Sequence, residues 1–272
     1  VPTRPGAEID RHALAMDNLA LFSSFAEALA VNGSGHELVV VVSNPVELAV
    51  AVFAEALGRH RVVGMGAWLD TLRFQHEIAG SLGIRRQAVG GFVVGQHGDG
   101  MVPLWSSVRL TGQTVEERSA AVERLRGPRS LDDFPGEIAR AKQTLLQLAA
   151  TDMRAAFATI ESWPPDLRTV ARPWLTHQSG AKTASGTAGA TVDLVDTIFD
   201  GREIVVAGQV ALDGEITLDG REVHTVTGVP IVLGPEGWTR VLLDPLAEDE
   251  ERRLAAVVAG LTESLAALRK AA

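Results

Sequence analysis

The sequence contains no cysteine, which excludes disulfide staples, thiolate nucleophiles and thiolate metal sites and leaves no redox-compartment signal. Clustered basic residues are also missing: 25 Lys and Arg stand against 34 Asp and Glu, and the basic runs are only pairs such as Arg85-Arg86. With a net charge of -9, a general phosphate-binding surface is excluded and nucleic acid is not an expected partner. Apolar runs such as Leu48 to Ala54 fall far short of the ~18 residues that suggest a membrane span, and no apolar signal segment opens the chain. No membrane partner is therefore expected, and the expected address is cytoplasmic.

What is present describes an ordinary globular protein. At 272 residues, 46% hydrophobic and 22% charged, the chain can bury a substantial core in one large domain or two smaller ones. After the turn-rich Val1 to Gly6, Ala7 to Val31 reads as a helix. Glu37 to Ser43 is an apolar, β-branched run typical of a buried parallel strand, ended by Asn44-Pro45. A helix over Val46 to Leu57 and a strand over Arg61 to Met65 follow. This alternation predicts an α/β fold with a parallel sheet, whose ligands usually sit at the carboxyl ends of the strands, where Asn44 falls.

From Leu69 a helical face of Leu72, Ala79 and Leu82 is predicted, with Asp70, Arg73 and Glu77 on another face. Ala88 to Val94 and Met101 to Leu110 read as strands joined by the tight, glycine-rich turn Gly95 to Gly100. Ser130 to Asp133 resembles a capping box before a long amphipathic helix that runs to Pro164-Pro165. The small, polar stretch Thr176 to Thr191 is either a flexible surface loop or a segment where a helix must approach a ligand closely. Beyond Asp193, strands over Glu203 to Leu212, Glu215 to Leu218, Val223 to Val226 and Val229 to Leu233 form an expected antiparallel meander, before a last helix from Glu248 to Leu268.

The chemistry gathers between Trp68 and Ser107: an acid, a fixed cation and an imidazole, each on or beside a regular element. Taken singly these are bland, since an Asp/Arg pair at i, i+3 is most often a surface ion pair and a histidine in a glycine turn is most often structural. The ordered pattern says more: Ser43-Asn-Pro-Val46, Leu69-Asp-Thr-Leu-Arg-Phe74, Gly95-Gln-His-Gly-Asp99, Val102-Pro-Leu-Trp-Ser106 and Gly228-Val-Pro-Ile-Val-Leu-Gly234.

With these motifs in this order the chain resembles the lactate/malate dehydrogenase family. The resemblance implies a partial Rossmann-type parallel sheet, the remainder of a dinucleotide-binding domain over residues 1–66, followed by an α+β catalytic domain over 67–272. It implies hydride transfer between NAD, with NADP left open, and a small 2-hydroxy or 2-oxo acid, by a homo-oligomer, dimer or tetramer. His97 matches the catalytic acid/base, and Asp70 the carboxylate that orients it; an imidazole with an ordinary pKa near ~6.5 suits both directions. Arg73 matches the arginine that binds the substrate carboxylate through a planar fork. Arg11 matches the arginine of a mobile loop that polarises the reacting carbonyl. Asn44, with Ser43, matches the segment at the nicotinamide, Asn44 also touching substrate. Thr183 lies near the specificity position. Arg4 can pair a second carboxylate, which favours malate over lactate.

The sequence departs from the family pattern in three places. The strand and glycine-rich turn that cradle a dinucleotide pyrophosphate are not found, which leads to the expectation that the first half of the nucleotide-binding domain is absent and that a sheet edge is exposed. The loop between Pro5-Gly6 and Arg11 is longer than usual by about two residues. Ser162 to Leu175, with two tryptophans and three prolines, reads as an insertion, either an ordered excursion packed on the body or on a subunit neighbour or, more simply, an extra surface loop. Two rival readings exist: a truncated or non-catalytic homologue keeping the fold for assembly, and a metal hydrolase built on His97 and Asp99. The second is weakened by the lack of a second histidine at ligand spacing and of any H-E-x-x-H, so no metal is expected.

Overall fold

A computed structural model describes residues 11–180 and 184–271. Helix α1 (Arg11–Asn32) packs on α2 (Val46–Leu57), with strand β1 (Val39–Val41) between them in sequence. Helix α2 is bounded on one side by Pro45 and on the other by Gly58, whose φ of 92° suits the absence of a side chain. Strand β2 (Val62–Gly64) lies parallel to β1, pairing Val39 with Val62, so β1-α2-β2 is the parallel α/β unit expected from the alternating pattern.

The sheet then continues with antiparallel neighbours. Strands β4 (Val93–Gly95), β5 (Met101–Pro103), β7 (Ile204–Ala211) and β10 (Val226–Gly234) complete the order β1-β2-β7-β10-β4-β5, and β11 (Gly237–Val241) pairs with β10. Strand β1 forms one edge. Two short ribbons flank this sheet: β3 (Val89–Gly90) with β6 (Arg109–Leu110), and β8 (Thr217–Leu218) with β9 (Arg221–Glu222). Asp219 and Gly220, with φ of 48° and 71°, make the tight turn of the second ribbon. The join of β10 to β4 runs through one pair of glycines, Gly228 and Gly95, because a Cβ at Gly228 would stand 2.7 Å from the Gly95 carbonyl oxygen.

Helix α3 (Gly66–Leu82) starts directly after β2 and buries Phe74, Ile78 and Ala79 in the main core. The other helices are α4 (Val115–Arg126), α5 (Phe134–Ala149), α6 (Met153–Ile160), α7 (Pro165–Gln178), α8 (Ala184–Phe199) and α9 (Glu248–Ala271). Among the described residues no helix is long and apolar enough to cross a membrane.

Five expectations need correction. The Ser130–Asp133 segment does not cap α5: Leu131 N–H is taken by Asp249, Arg252 holds Asp132, and Asp133 is in the helical region with no side-chain cap bond. The capping box sits instead at Thr114 and Glu117, opening α4. The long helix to Pro164 is broken after Ala149, where the Asp152 carboxylate accepts from the Ala155 N–H and starts α6. The strand expected over Met101–Leu110 is two short strands, and Val223 to Leu233 gives one strand, β10, with a separate lead-in.

The fifth correction is the largest. Ser162–Leu175 is no surface loop, because most of it is helix α7, with Leu167, Val170, Ala171 and Leu175 buried. Pro164 is its N-cap, Pro165 stands in its first turn, where no N–H is needed, and Pro173 lies inside it. The helix packs along α3. Asp166, 1% exposed, accepts from Trp105 Nε1 at 3.1 Å and from Arg129 Nη1 at 2.8 Å. Trp105 in turn meets Phe74 of α3 edge-on, with ring centroids 5.0 Å apart.

Candidate active site

Helix α3 presents Asp70 and Arg73 one turn apart, and the turn between β4 and β5 presents His97. The turn closes on itself through Gln96 N–H to Gly100 O at 3.2 Å and Met101 N–H to Gly98 O at 3.1 Å, with Gly98 at φ 90°. His97 and Asp70 meet directly, His97 Nδ1 standing 2.7 Å from Asp70 Oδ2. The same carboxylate oxygen accepts the Gly98 N–H at 3.2 Å, while Oδ1 accepts from Arg73 Nη1 at 3.1 Å. Asp70 is 2% exposed, and such a buried carboxylate is tolerable only with this many donors.

A fourth side chain joins them. Glu47, in the first turn of α2 and 5% exposed, accepts the backbone N–H of His97 at 2.7 Å. Burial disfavours the charge on each of these groups, with different results. For Asp70 the neighbouring His97 charge, its hydrogen bond and Arg73 outweigh burial and hold the carboxyl below its ordinary value. For His97 the Asp70 charge and hydrogen bond, reinforced by Glu47, outweigh burial and opposing Arg73, lifting the imidazole above its ordinary value. For Glu47 burial prevails over the His97 N–H, and its carboxyl is pushed up.

The residues singled out by the sequence fall as follows. His97, Asp70 and Arg73 form one contiguous group. Ser43 and Asn44 are exposed at the carboxyl end of β1, Asn44 one helical turn before Glu47. Arg11 opens α1, and Arg4 and Thr183 lie outside the described residues. Glu77 leaves the group, because Arg172 Nε holds its Oε1 at 2.7 Å on the α7 side. Asp99 also turns elsewhere, to Lys142 of α5. Among the described residues no group of three or more His, Asp or Glu could hold a metal ion.

Glu47 is the member that the sequence reading missed. Its signal was an acid at the second position of VELAVAVFAEAL, a helix otherwise apolar until Glu55. A charge among Val46, Leu48, Ala49 and Val50, all buried, needs a partner, and periodicity alone could not say which. Beside Arg73 a cleft of about 450 Å³ is walled by Leu69 and Leu72 of α3, Pro173 and Thr176 of α7 and Gly186 of α8. Thr191 Oγ1, 3.0 Å from Met65 Sδ, sets α8 against the start of α3.

This fold is shared with solved malate and lactate dehydrogenases. Malate dehydrogenase of Cryptosporidium parvum superposes with a TM-score of 0.73 at 21% identity, covering 99% of this chain and 74% of that one. Lactate dehydrogenase of the same organism, solved with lactic acid and the cofactor β-nicotinamide adenine dinucleotide, superposes at 0.72 and 21%, again covering 99% and 74%. In sequence, malate dehydrogenase of Bacteroides fragilis is 29% identical over 273 residues, 99% of this chain and 73% of that protein. L-lactate dehydrogenase 2 of Listeria monocytogenes is 28% identical over 240 residues, 88% of this chain. The matched part is 65% of the length of the Listeria protein. The family profile described as lactate/malate dehydrogenase, alpha/beta C-terminal domain, matches residues 175–271. The chain is thus similar to lactate and malate dehydrogenases along most of its length, and its residues 175–271 match the family's C-terminal domain.

Proposed function

We propose that the protein interconverts a small 2-oxo acid and its 2-hydroxy acid by hydride transfer with a nicotinamide cofactor, with His97 as the acid/base group. The observation that carries this is the 2.7 Å contact of His97 Nδ1 with the buried Asp70 carboxylate. With Nδ1 committed to Asp70, the proton to be exchanged is the one on Nε2. In the reducing direction Nε2–H donates it to the substrate carbonyl oxygen as hydride reaches C2; in the oxidising direction Nε2 takes it back from the hydroxyl. Asp70 stabilises the imidazolium, as the raised pKa of His97 expresses.

Arg73, standing on Asp70 Oδ1, supports the reading as the cation that anchors the substrate carboxylate. Arg11 as the closing-loop cation, and Thr183 and Arg4 as specificity residues, come from the family resemblance, as does the preference for malate over lactate. The polar side chains of Ser43 and Asn44 are uncovered at a parallel strand's carboxyl end, one helical turn from the Glu47–His97 bond, and this fits the nicotinamide end of NAD. When bound, NAD supplies or accepts the hydride; Ser43 and Asn44 orient it, and His97 handles the proton. The exposed Val192 and Phe199 on α8 are consistent with assembly as a homo-oligomer.

The test is a steady-state assay of NADH and NADPH oxidation with oxaloacetate and with pyruvate. Turnover with one of these acids, oxaloacetate above all, is the expected result. No oxidation of either cofactor with either acid overturns the reading.

A further inference from the structure

We propose that Glu47 is a positioning residue of this site, its carboxylate fixing the backbone of the His97 turn and tying that turn to the Ser43–Asn44 end of β1. What the turn does rests on the dehydrogenase reading above; the tie itself rests on geometry.

Glu47 lies among buried Val46, Leu48, Ala49 and Val50, a setting in which an unpartnered carboxylate costs several kcal/mol. An acid in a helix's first turn can serve the N–H groups of its own helix, and the Glu47 carboxylate does so in part, accepting from its own backbone N–H. The stronger bond leaves the helix: it crosses from α2 to the His97 N–H at 2.7 Å. The turn is thus held from three elements, by Glu47 of α2 at His97 N–H, by Asp70 of α3 at Gly98 N–H and the ring, and by Lys142 of α5 at Asp99. The ring contact sets which nitrogen is engaged. Of these three, Glu47 is the one that holds the N–H of His97 itself, and it belongs to the helix that follows Asn44. A hydride acceptor aligned by Asn44 and a proton carried by His97 must be in register to within a fraction of an ångström, and a single buried bond between their supports supplies that register.

The charged groups facing His97 are Asp70 and Arg73 from α3, Glu47 from α2, and Asp99 with Lys142 on the outer side of the turn. Removing the Glu47 charge while keeping an acceptor oxygen therefore separates two effects. The experiment compares wild type, Glu47→Gln and Glu47→Leu by kcat and KM for the 2-oxo acid with NADH. It also follows the titration of the His97 ring by NMR, its signal assigned through His97→Asn. Glu47→Leu is expected to lose about 10²-fold in kcat with KM changed less than about threefold. Glu47→Gln should recover most of that loss and lower the His97 midpoint.

Wild-type kcat in Glu47→Leu overturns the proposal, and so does a Glu47→Gln variant as impaired as Glu47→Leu. If the leucine variant does not fold, the glutamine variant decides: an unmoved His97 midpoint overturns the proposal. A wild type that turns over neither 2-oxo acid refutes the dehydrogenase reading alone, since the titration still reports on Glu47.

Discussion

The imidazole of His97 rests on the backbone of Gly66, so closely that a Cβ on Gly66 would stand 2.6 Å from His97 Cγ. The first residue of α3 is therefore part of the seat of the histidine, and a side chain there must push the ring off Asp70. Gly66→Ala sets two effects against each other. Alanine is the better helix former by about 1 kcal/mol in a helix interior, but displacing the buried ring from its carboxylate outweighs this, so the urea midpoint should fall and turnover with it, by about 10²-fold. A variant with wild-type kcat would show that the ring can shift without cost.

Arg73→Lys keeps the charge but loses the planar fork. One charged hydrogen bond is worth roughly 1.5–3 kcal/mol, so kcat/KM for the 2-oxo acid should fall by about 10- to 100-fold. The same substitution should leave KM for NADH near wild type. Equal losses in both would place Arg73 in the general architecture and not at the substrate carboxylate.

The stability of the protein should carry the signature of the His97–Asp70 pair. Burial works against both charges, but each outweighs it for the other, holding Asp70 below 3.8 and His97 above 6.5. The contribution of the pair is therefore full between those limits. It fades as pH falls through the lowered Asp70 value, and again as pH rises through the raised His97 value. Urea unfolding of wild type and Asp70→Asn should differ most at about pH 5–6 and less by about pH 8. A difference independent of pH contradicts this coupling.

Asp166 is the anchor of α7. Its removal leaves Trp105 Nε1 and Arg129 without the buried carboxylate that both donate to. Asp166→Ala should cost about 3–5 kcal/mol, read as a fall in the urea midpoint. Because Trp105 also meets Phe74 of α3, kcat should fall along with stability. A loss under about 1 kcal/mol would mean that the apolar face of α7 and its Arg172–Glu77 bridge hold the helix without Asp166.

Much of this was legible in the sequence, and unevenly so. Helix α2 appears with the expected ends because Asn44-Pro45 and Gly58 punctuate an apolar run. Asp70 and Arg73 were assignable to one helix, and His97 to a turn, because spacing fixes the first and glycines the second. Partners across the fold were not legible. Nothing in the spacing says that Glu47 meets a histidine backbone fifty residues on, or that Glu77, on the same helix as Asp70 and Arg73, turns to Arg172. Helix α7 was misread for a local reason: prolines 164, 165 and 173 look like breakers, although the first two are at a helix start and the third is accommodated within the helix. The capping box of α4 was visible as Thr114-Val-Glu-Glu117 and was overlooked in favour of Ser130.

The central claim is that His97, held by Asp70, carries the proton of a hydride-transfer reaction. The most direct test is the kcat of His97→Asn against wild type at saturating NADH and 2-oxo acid. Asparagine is smaller but keeps an amide nitrogen near the Nδ1 position, and it cannot be protonated near neutrality. The account predicts a loss of at least about 10²-fold, the usual contribution of a positioned acid/base group, with KM for NADH little changed. Undiminished turnover in His97→Asn would contradict it.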